Sequence, residues 1–171
     1  PRIVYLGRVR KFKGIHYLIQ AMKRVVETVP DARASIVGKG PPAYEDALKR
    51  LAEELGLAGN VDFYGFGFGD SLRQKIELLQ KAWVLVFPSI REGFGLTVVE
   101  ANACGTPVIA TDVPGLRDTV KNYETGILVP PRDVNALASA IIKVLRDEEL
   151  REALSRNAIE WSKNFDWDET A

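Results

Sequence analysis

Two glutamates, Glu92 and Glu100, stand eight positions apart in the segment PSIREGFGLTVVEANACGTPVIATD. Between them, Gly93 and Gly95 let the backbone pass close to a ligand, and Gly95 opens a helical run that reaches about Ala103. The N–H groups of Gly93, Phe94, Gly95, Leu96 and Thr97 are then the donors that a helix start leaves without intrahelical acceptors. Such a turn holds a phosphate without a dedicated side chain, because amides and helix dipole both favour negative charge. A carboxylate repels a phosphate, so Glu92 and Glu100 suit hydroxyl groups, which form charge-assisted hydrogen bonds to an ionised acceptor. Glu100 lies about 7.5 Å along the helix axis, and helical side chains lean back toward the N-terminus. It therefore reaches hydroxyls one sugar away from a diphosphate in the turn, with Glu92 on the far side. The ligand this layout describes is sugar–diphosphate–ribose. The same spacing also fits Glu92 as a helix N-terminal charge and Glu100 as a surface residue.

Three other loops carry residues of the same chemistry. In GRVRKFKGIHYL, Gly7 ends a strand, Arg8 and Lys13 occupy the loop, and Gly14 opens a helix. Two cations beside a helix N-terminus suit a multiply charged anion, although solvated side chains would read the same way. In VGKGPP, Gly38 and Gly40 permit close backbone approach by a ligand or simply a tight turn. In YGFGFGD, Gly65, Gly67 and Gly69 lack the G-x-G-x-x-G spacing of a dinucleotide site. Phe66 or Phe68 there could stack on a base or fold back on the core.

The elements that must position these loops alternate along the chain. Short apolar runs at RIVYLG, ASIVG, VDFYG, VLVFPS, PVIAT and GILVP read as strands covered on both faces. Helical periodicity fills the gaps. Ile15, Leu18, Ile19, Met22 and Val25 share one face, as do Tyr44, Leu48, Leu51 and Leu55, with Gly56 as a stop. Leu72, Ile76 and Leu79 mark a third helix capped by Asp70 or Ser71. Leu137, Ile141, Val144 and Leu145 mark another behind Asp133, and a last one covers about Glu148 to Lys163. The expected fold is one α/β domain over residues 1–171, a Rossmann-like, doubly wound, mainly parallel six-stranded sheet with helices on both faces. Ligands of such sheets bind beyond the carboxyl ends of the strands.

Composition narrows the partners. Lys+Arg and Asp+Glu number 23 each, so the formal net charge is zero and nothing supports a nucleic-acid partner or a polybasic membrane surface. No apolar run approaches the ~20 residues that span a bilayer. The single cysteine, Cys104, excludes an internal disulfide and a Cys-based zinc site, and a reducing, cytoplasmic location is the expectation. With no activating neighbour in the sequence, Cys104 reads as a packing residue. No Asp-x-Asp or His/Asp cluster is present to hold a metal, so neither metal nor cofactor is expected. The abrupt opening PRIVYLGRV, without a start methionine, reads as an excised piece of a longer protein.

The segment EGFGLTVVE resembles the E-x7-E motif of the retaining glycosyltransferases of family 4, which have the GT-B fold. GRVRKFKG, IVGKGP, NVDFYG, VFPSIREGFGLTVVEANACGTPVIATD, GLRDTV and TGILVPPRDVNALASAI are similar, in order and spacing, to that family's C-terminal domain over essentially the whole chain. The resemblance implies transfer of a hexose from a nucleotide diphosphate sugar with retained anomeric configuration. It assigns Arg8 and Lys13 to the donor diphosphate, Glu92 to donor-sugar hydroxyls, Glu100 to the ribose, and the amides of Gly93 to Thr97 to phosphate and sugar. Gly38–Gly40 and Gly65–Phe68 fall where base and ribose sit. The implied partner is an N-terminal, acceptor-binding domain absent from this chain, through which alone any peripheral membrane association would arise. That domain carries the family's glycine-rich loop and reacting-centre histidine. His16, inside the first helix, reads as a helix-face residue instead. Lys39 stands where an acidic residue is common, and DVPG at 112–115 replaces a frequent Gly-Gly. The tail NFDWDETA is similar to the start of a helix returning to the absent domain, which would leave Phe165 and Trp167 partly exposed. An epimerase of the same fold and a non-catalytic nucleotide-sugar-binding module are the alternative readings, and the chain alone is expected to bind donor without turnover.

Overall fold

The computed structural model describes residues 1–65 and 71–165. Six strands form one sheet: β1 (Arg2–Leu6), β2 (Arg33–Val37), β3 (Val61–Tyr64), β4 (Val84–Phe87), β5 (Val108–Thr111) and β6 (Gly126–Val129). Their order is β3-β2-β1-β4-β5-β6, and every pairing is parallel. Ile3, Val4, Tyr5, the whole of β4 and all of Val108–Ala110 are buried, as strands covered on both faces must be. At the edge, β3 buries only Val61 fully.

Among the described residues seven α-helices connect or flank the strands: α1 (Ile15–Thr28), α2 (Pro42–Glu54), α3 (Leu72–Lys81), α4 (Leu96–Ala103), α5 (Pro114–Arg117), α6 (Val134–Arg146) and α7 (Glu148–Ser162). On one face α1 packs against α2 and α6; on the other α4 packs against α7 and is joined to α3 by the Lys75–Glu100 ion pair. The apolar stripe read for α1 is buried throughout. Ser71, Asp133 and Asp147 cap α3, α6 and α7 by accepting from Gln74, Ala136 and Leu150 N–H groups.

Two differences from the sequence reading have physical causes. Leu72 was expected on the buried stripe of α3 but is 72% exposed, because only the C-terminal part of the helix, at Leu78 and Leu79, lies fully against the core. The short α5 and a 3-10 turn at Lys11–Lys13 were not anticipated, since a single turn offers too few residues to show a period.

Order β1 next to β4 is the point where the sheet reverses its direction of winding. The loops after β1 and β4 leave from adjacent carboxyl ends and diverge to helices on opposite faces, the crevice in which doubly wound sheets take ligands.

Candidate functional site

The two loops are stitched together at this crevice. Ile90 N–H donates to Phe12 O at 2.9 Å. Gly14 has φ 71°, and a Cβ there would lie 2.0 Å from Pro88 O, so only glycine lets the β1 loop sit this close to the β4 loop. The result is a side-chain contact between residues 79 apart in sequence: Lys13 Nζ donates to Glu92 Oε2 at 2.5 Å. Lys13 is 8% exposed and rests over the rings of Phe12 and Phe87, at 5.6 and 5.1 Å from their centroids. A buried ammonium needs such partners to remain charged. Arg91 stacks on the other neighbour of this cage, 5.0 Å from the Phe12 centroid.

Arg8 stands at the open side of the crevice. Its side chain is exposed and has no ion pair among the described residues, while its carbonyl accepts from the Tyr5 hydroxyl at 2.7 Å. Burial pushes the Tyr5 phenol well above its usual range; the nearby Glu92 carboxylate adds to the rise and Arg8 opposes it. Tyr5 was not singled out from the sequence. Its signal was a hydroxyl-bearing residue in an otherwise apolar strand, two residues before Gly7, where a buried hydroxyl must find a partner.

The turn before α4 is half as expected. Gly95 is the N-cap with φ 79°, and no side chain caps the helix. The amides of Gly95, Leu96 and Thr97 have no acceptor among the described residues, as a helix start requires. Gly93 differs from expectation: its N–H donates to Glu92 Oε1 at 3.3 Å, because the residue before it can fold its own carboxylate back onto the turn. Phe94 is about one-third exposed and lies edge-on to Phe165, with ring centroids 5.7 Å apart. Leu96 is half exposed beside it. Phe165 in turn packs edge-on to Trp161, whose Nε1–H donates to Thr119 O, so the described part of the tail is folded onto the β4–α4 turn. Trp167 lies outside the described residues.

Glu100 points its carboxylate toward α3, not toward the first loop: Oε2 is 2.5 Å from Lys75 Nζ. Lys75 was also missed, because no local pattern links an α3 lysine to a glutamate 25 residues on. Gly38 and Gly40 take a structural role here: added Cβ atoms would lie 1.8 Å from Gly7 O and 1.8 Å from Val9 O, so both glycines let the β2 loop lie on the β1 loop. Gly65 is exposed with open space around its Cα, and Phe66, like Phe68, lies outside the described residues.

Neighbouring groups are consistent with this division. His16 Nδ1 is 3.0 Å from the Tyr44 hydroxyl, and burial and then Lys11 lower its pKa below the ordinary value. The Tyr44 phenol is pushed up to about 12 by burial, with Tyr17 adding and the His16 contact opposing. Cys104 is half-buried, and burial and then Glu100 raise its pKa although Lys75 stands within reach, so its thiol is not activated. The Ser89 Oγ is buried at the crevice floor without a partner among the described residues. Among the described residues no cluster of three His, Cys, Asp or Glu is placed to hold a metal ion, and no helix is long and apolar enough to cross a membrane.

Residues 1–161 match the family described as Glycosyl transferases group 1. A glycosyltransferase of Methanocaldococcus jannaschii, itself uncharacterized, is 37% identical over 170 residues, which are 99% of this chain and 42% of that protein. The C-terminal domain of a glycosyl transferase group 1 family protein from Francisella tularensis superposes with a TM-score of 0.85 at 26% identity, over 96% of this chain and 85% of that one. Anabaena HepE in complex with UDP-glucose superposes with a TM-score of 0.87 at 27% identity, over 95% of this chain and 44% of that one. The chain thus spans about two fifths of the length of the curated relatives it matches. With the all-parallel sheet and the crevice at its reversal point, these likenesses establish that the chain belongs to the group 1 glycosyl transferases, as a domain of the GT-B type.

Proposed function

We propose that this chain is the nucleotide-sugar donor-binding domain of a retaining, metal-independent glycosyltransferase of family 4. The observation that carries the proposal is the meeting of Lys13 and Glu92 at 2.5 Å beside the amides of Gly95, Leu96 and Thr97, which have no acceptor among the described residues. An ammonium has three donors, and Glu92 uses one, which leaves two for donor oxygens. Arg8, exposed at the mouth, and Lys13, buried at the base, close on the diphosphate from one side while the α4 amides receive it from the other. Glu92 then takes hydroxyls of the transferred hexose, and Glu100 those of the ribose. The likeness to HepE, solved with UDP-glucose at 27% identity, supports a nucleoside diphosphate sugar as the ligand.

The chemistry asks for stabilisation of negative charge. As the glycosidic carbon–oxygen bond breaks, the diphosphate departs with the bonding pair and the anomeric carbon becomes cationic. Lys13, held by Glu92, and the α4 amides are fixed before the reaction, so they stabilise the leaving group without reorganising, and Arg8 adds its charge from the open side. The hexose passes with retained configuration to an acceptor held by an N-terminal domain of the longer, cytoplasmic protein. The chain alone binds donor without turnover.

Thermal denaturation of the chain with UDP-, GDP- and ADP-sugars tests this reading. A donor at hundredfold its dissociation constant adds about 2.7 kcal/mol of apparent stability. The double variant Arg8→Ala, Lys13→Ala is expected to abolish that shift and calorimetric binding of the same nucleotide. Unchanged affinity in the double variant, or no shift with any of the three, would overturn the proposal.

A further inference from the structure

The ion pair at Glu100 has a geometry that a surface salt bridge does not require. Lys75 lies in the first turn of α3 and Glu100 in the second turn of α4, so two helices that start from different strands aim these side chains at each other. Nζ and Oε2 are 2.5 Å apart, with 27% and 31% of the two side chains exposed. Oε2 itself is buried and has no hydrogen-bond partner among the described residues, its contact being the ion pair with the Lys75 ammonium. One carboxylate oxygen is therefore withdrawn against Lys75, and Oε1 is the oxygen left to receive a hydroxyl.

We propose that Lys75 is a positioning residue of the donor site: it clamps Oε2 of Glu100 so that Oε1 faces the ribose hydroxyls, and it offsets the carboxylate's charge beside the diphosphate. This inference rests on the donor-site reading above and deepens it by naming the group that orients its ribose contact. Two physical needs point the same way. A glutamate side chain that is free to rotate loses rotamer freedom when it grips a ligand, and one already pinned through one oxygen has less to lose. A carboxylate near a bound diphosphate is also repelled by it, and an ammonium at contact distance from that carboxylate removes most of the penalty. Lys75 touches neither diphosphate nor sugar in this scheme. It acts through Glu100.

The test is calorimetry on the 171-residue chain. UDP, GDP and ADP are titrated first, then the 2′-deoxy and 3′-deoxy forms of whichever binds. The wild type is expected to prefer the ribonucleotide about tenfold, the scale of one charge-assisted hydrogen bond. Lys75→Met should weaken the ribonucleotide about tenfold more than the deoxy form that lacks the Glu100 contact, so that the preference disappears. Lys75→Arg, which restores a cation, should recover it. In a Glu100→Gln background Lys75→Met should have no further effect on binding. Equal weakening of ribo- and deoxynucleotide by Lys75→Met would mean a merely structural role and overturn the inference, as would an undiminished ribose preference. If Lys75→Met unfolds, Lys75→Gln against Lys75→Arg carries the same comparison. Normal nucleotide binding with no Lys75 effect defeats this inference alone, whereas absence of binding by all three nucleotides to the wild type defeats the donor-site reading and this inference with it.

Discussion

Lys13 and Glu92 each make the other tolerable. Their side chains are only 10% and 16% exposed, so removing one partner leaves a largely buried charge with little water to solvate it. Glu92→Ala is expected to destabilise the chain by about 3 kcal/mol, while Glu92→Gln, which keeps an oxygen for Nζ, costs visibly less. Urea unfolding checks this, and equal, negligible losses in both variants would mean that the pair contributes nothing to the fold. His16 has a pH signature of its own. Its folded pKa is lowered from 6.5 by burial first and Lys11 second. Below pH 6.5 the unfolded chain therefore takes up a proton that the folded chain resists, and stability falls as pH drops through that value toward the lowered one. Above it the histidine is neutral in both states and contributes no slope. The melting temperature of His16→Gln should decline less than that of the wild type between pH 7 and pH 5, which differential scanning calorimetry can read.

Three glycines between elements separate backbone strain from close contact. Gly59 has open space around it and no unusual φ, Gly56 has open space at φ 72°, and Gly14 has φ 71° with Pro88 O in the way. Gly59→Ala should change stability by less than about 0.5 kcal/mol. Gly56→Ala should cost about 1 kcal/mol, the strain of a left-handed residue. Gly14→Ala should cost more than about 2 kcal/mol, because the β1 and β4 loops must also move apart. Chemical denaturation of the three variants gives the order directly, and an equal cost at Gly56 and Gly14 would show that the loops yield freely. Because Gly14 holds the seam that brings Lys13 to Glu92, its alanine variant is also expected to weaken nucleotide binding, whereas Gly59→Ala should not.

For the whole molecule, the proposed donor site places ligand at one end of the sheet and not at the other. At the carboxyl edge stand Arg8, Lys13, Glu92 and the α4 amides. At the amino edge a cavity of about 300 Å³ is lined by Trp83, Gly105, Pro107, Arg151 and Ser155. Two of its polar side chains are engaged: Arg151 donates to the carbonyls of Val144 and Leu145 at the end of α6 and stacks on Trp83, and Ser155 donates to Gly105 O. Hydrogen exchange with a bound nucleotide should therefore slow at the amides of Gly7 to Gly14 and Gly95 to Thr97 and leave Trp83 and Gly105 unchanged. Protection centred on the amino-edge cavity would place the ligand at the wrong end of the sheet.

What the linear sequence determined by itself was local in origin. Apolar runs and 3.6-residue stripes marked all six strands and the longer helices, because burial on one or two faces imposes a period within each element. The glycine-bounded turn before α4 was legible for the same reason, as was the fold class. Leu72 and α5 escaped, one because packing, not periodicity, decides where a helix leaves the sheet, the other because four residues carry no period. Only the tertiary structure decided that β1 lies beside β4, and from that follow the contact of Lys13 with Glu92, the service of Gly38 and Gly40 to loop packing, and the union of Lys75 with Glu100. Such contacts join residues that are distant in the chain, so their energy depends on strand order and helix placement, which no stretch of neighbouring residues encodes.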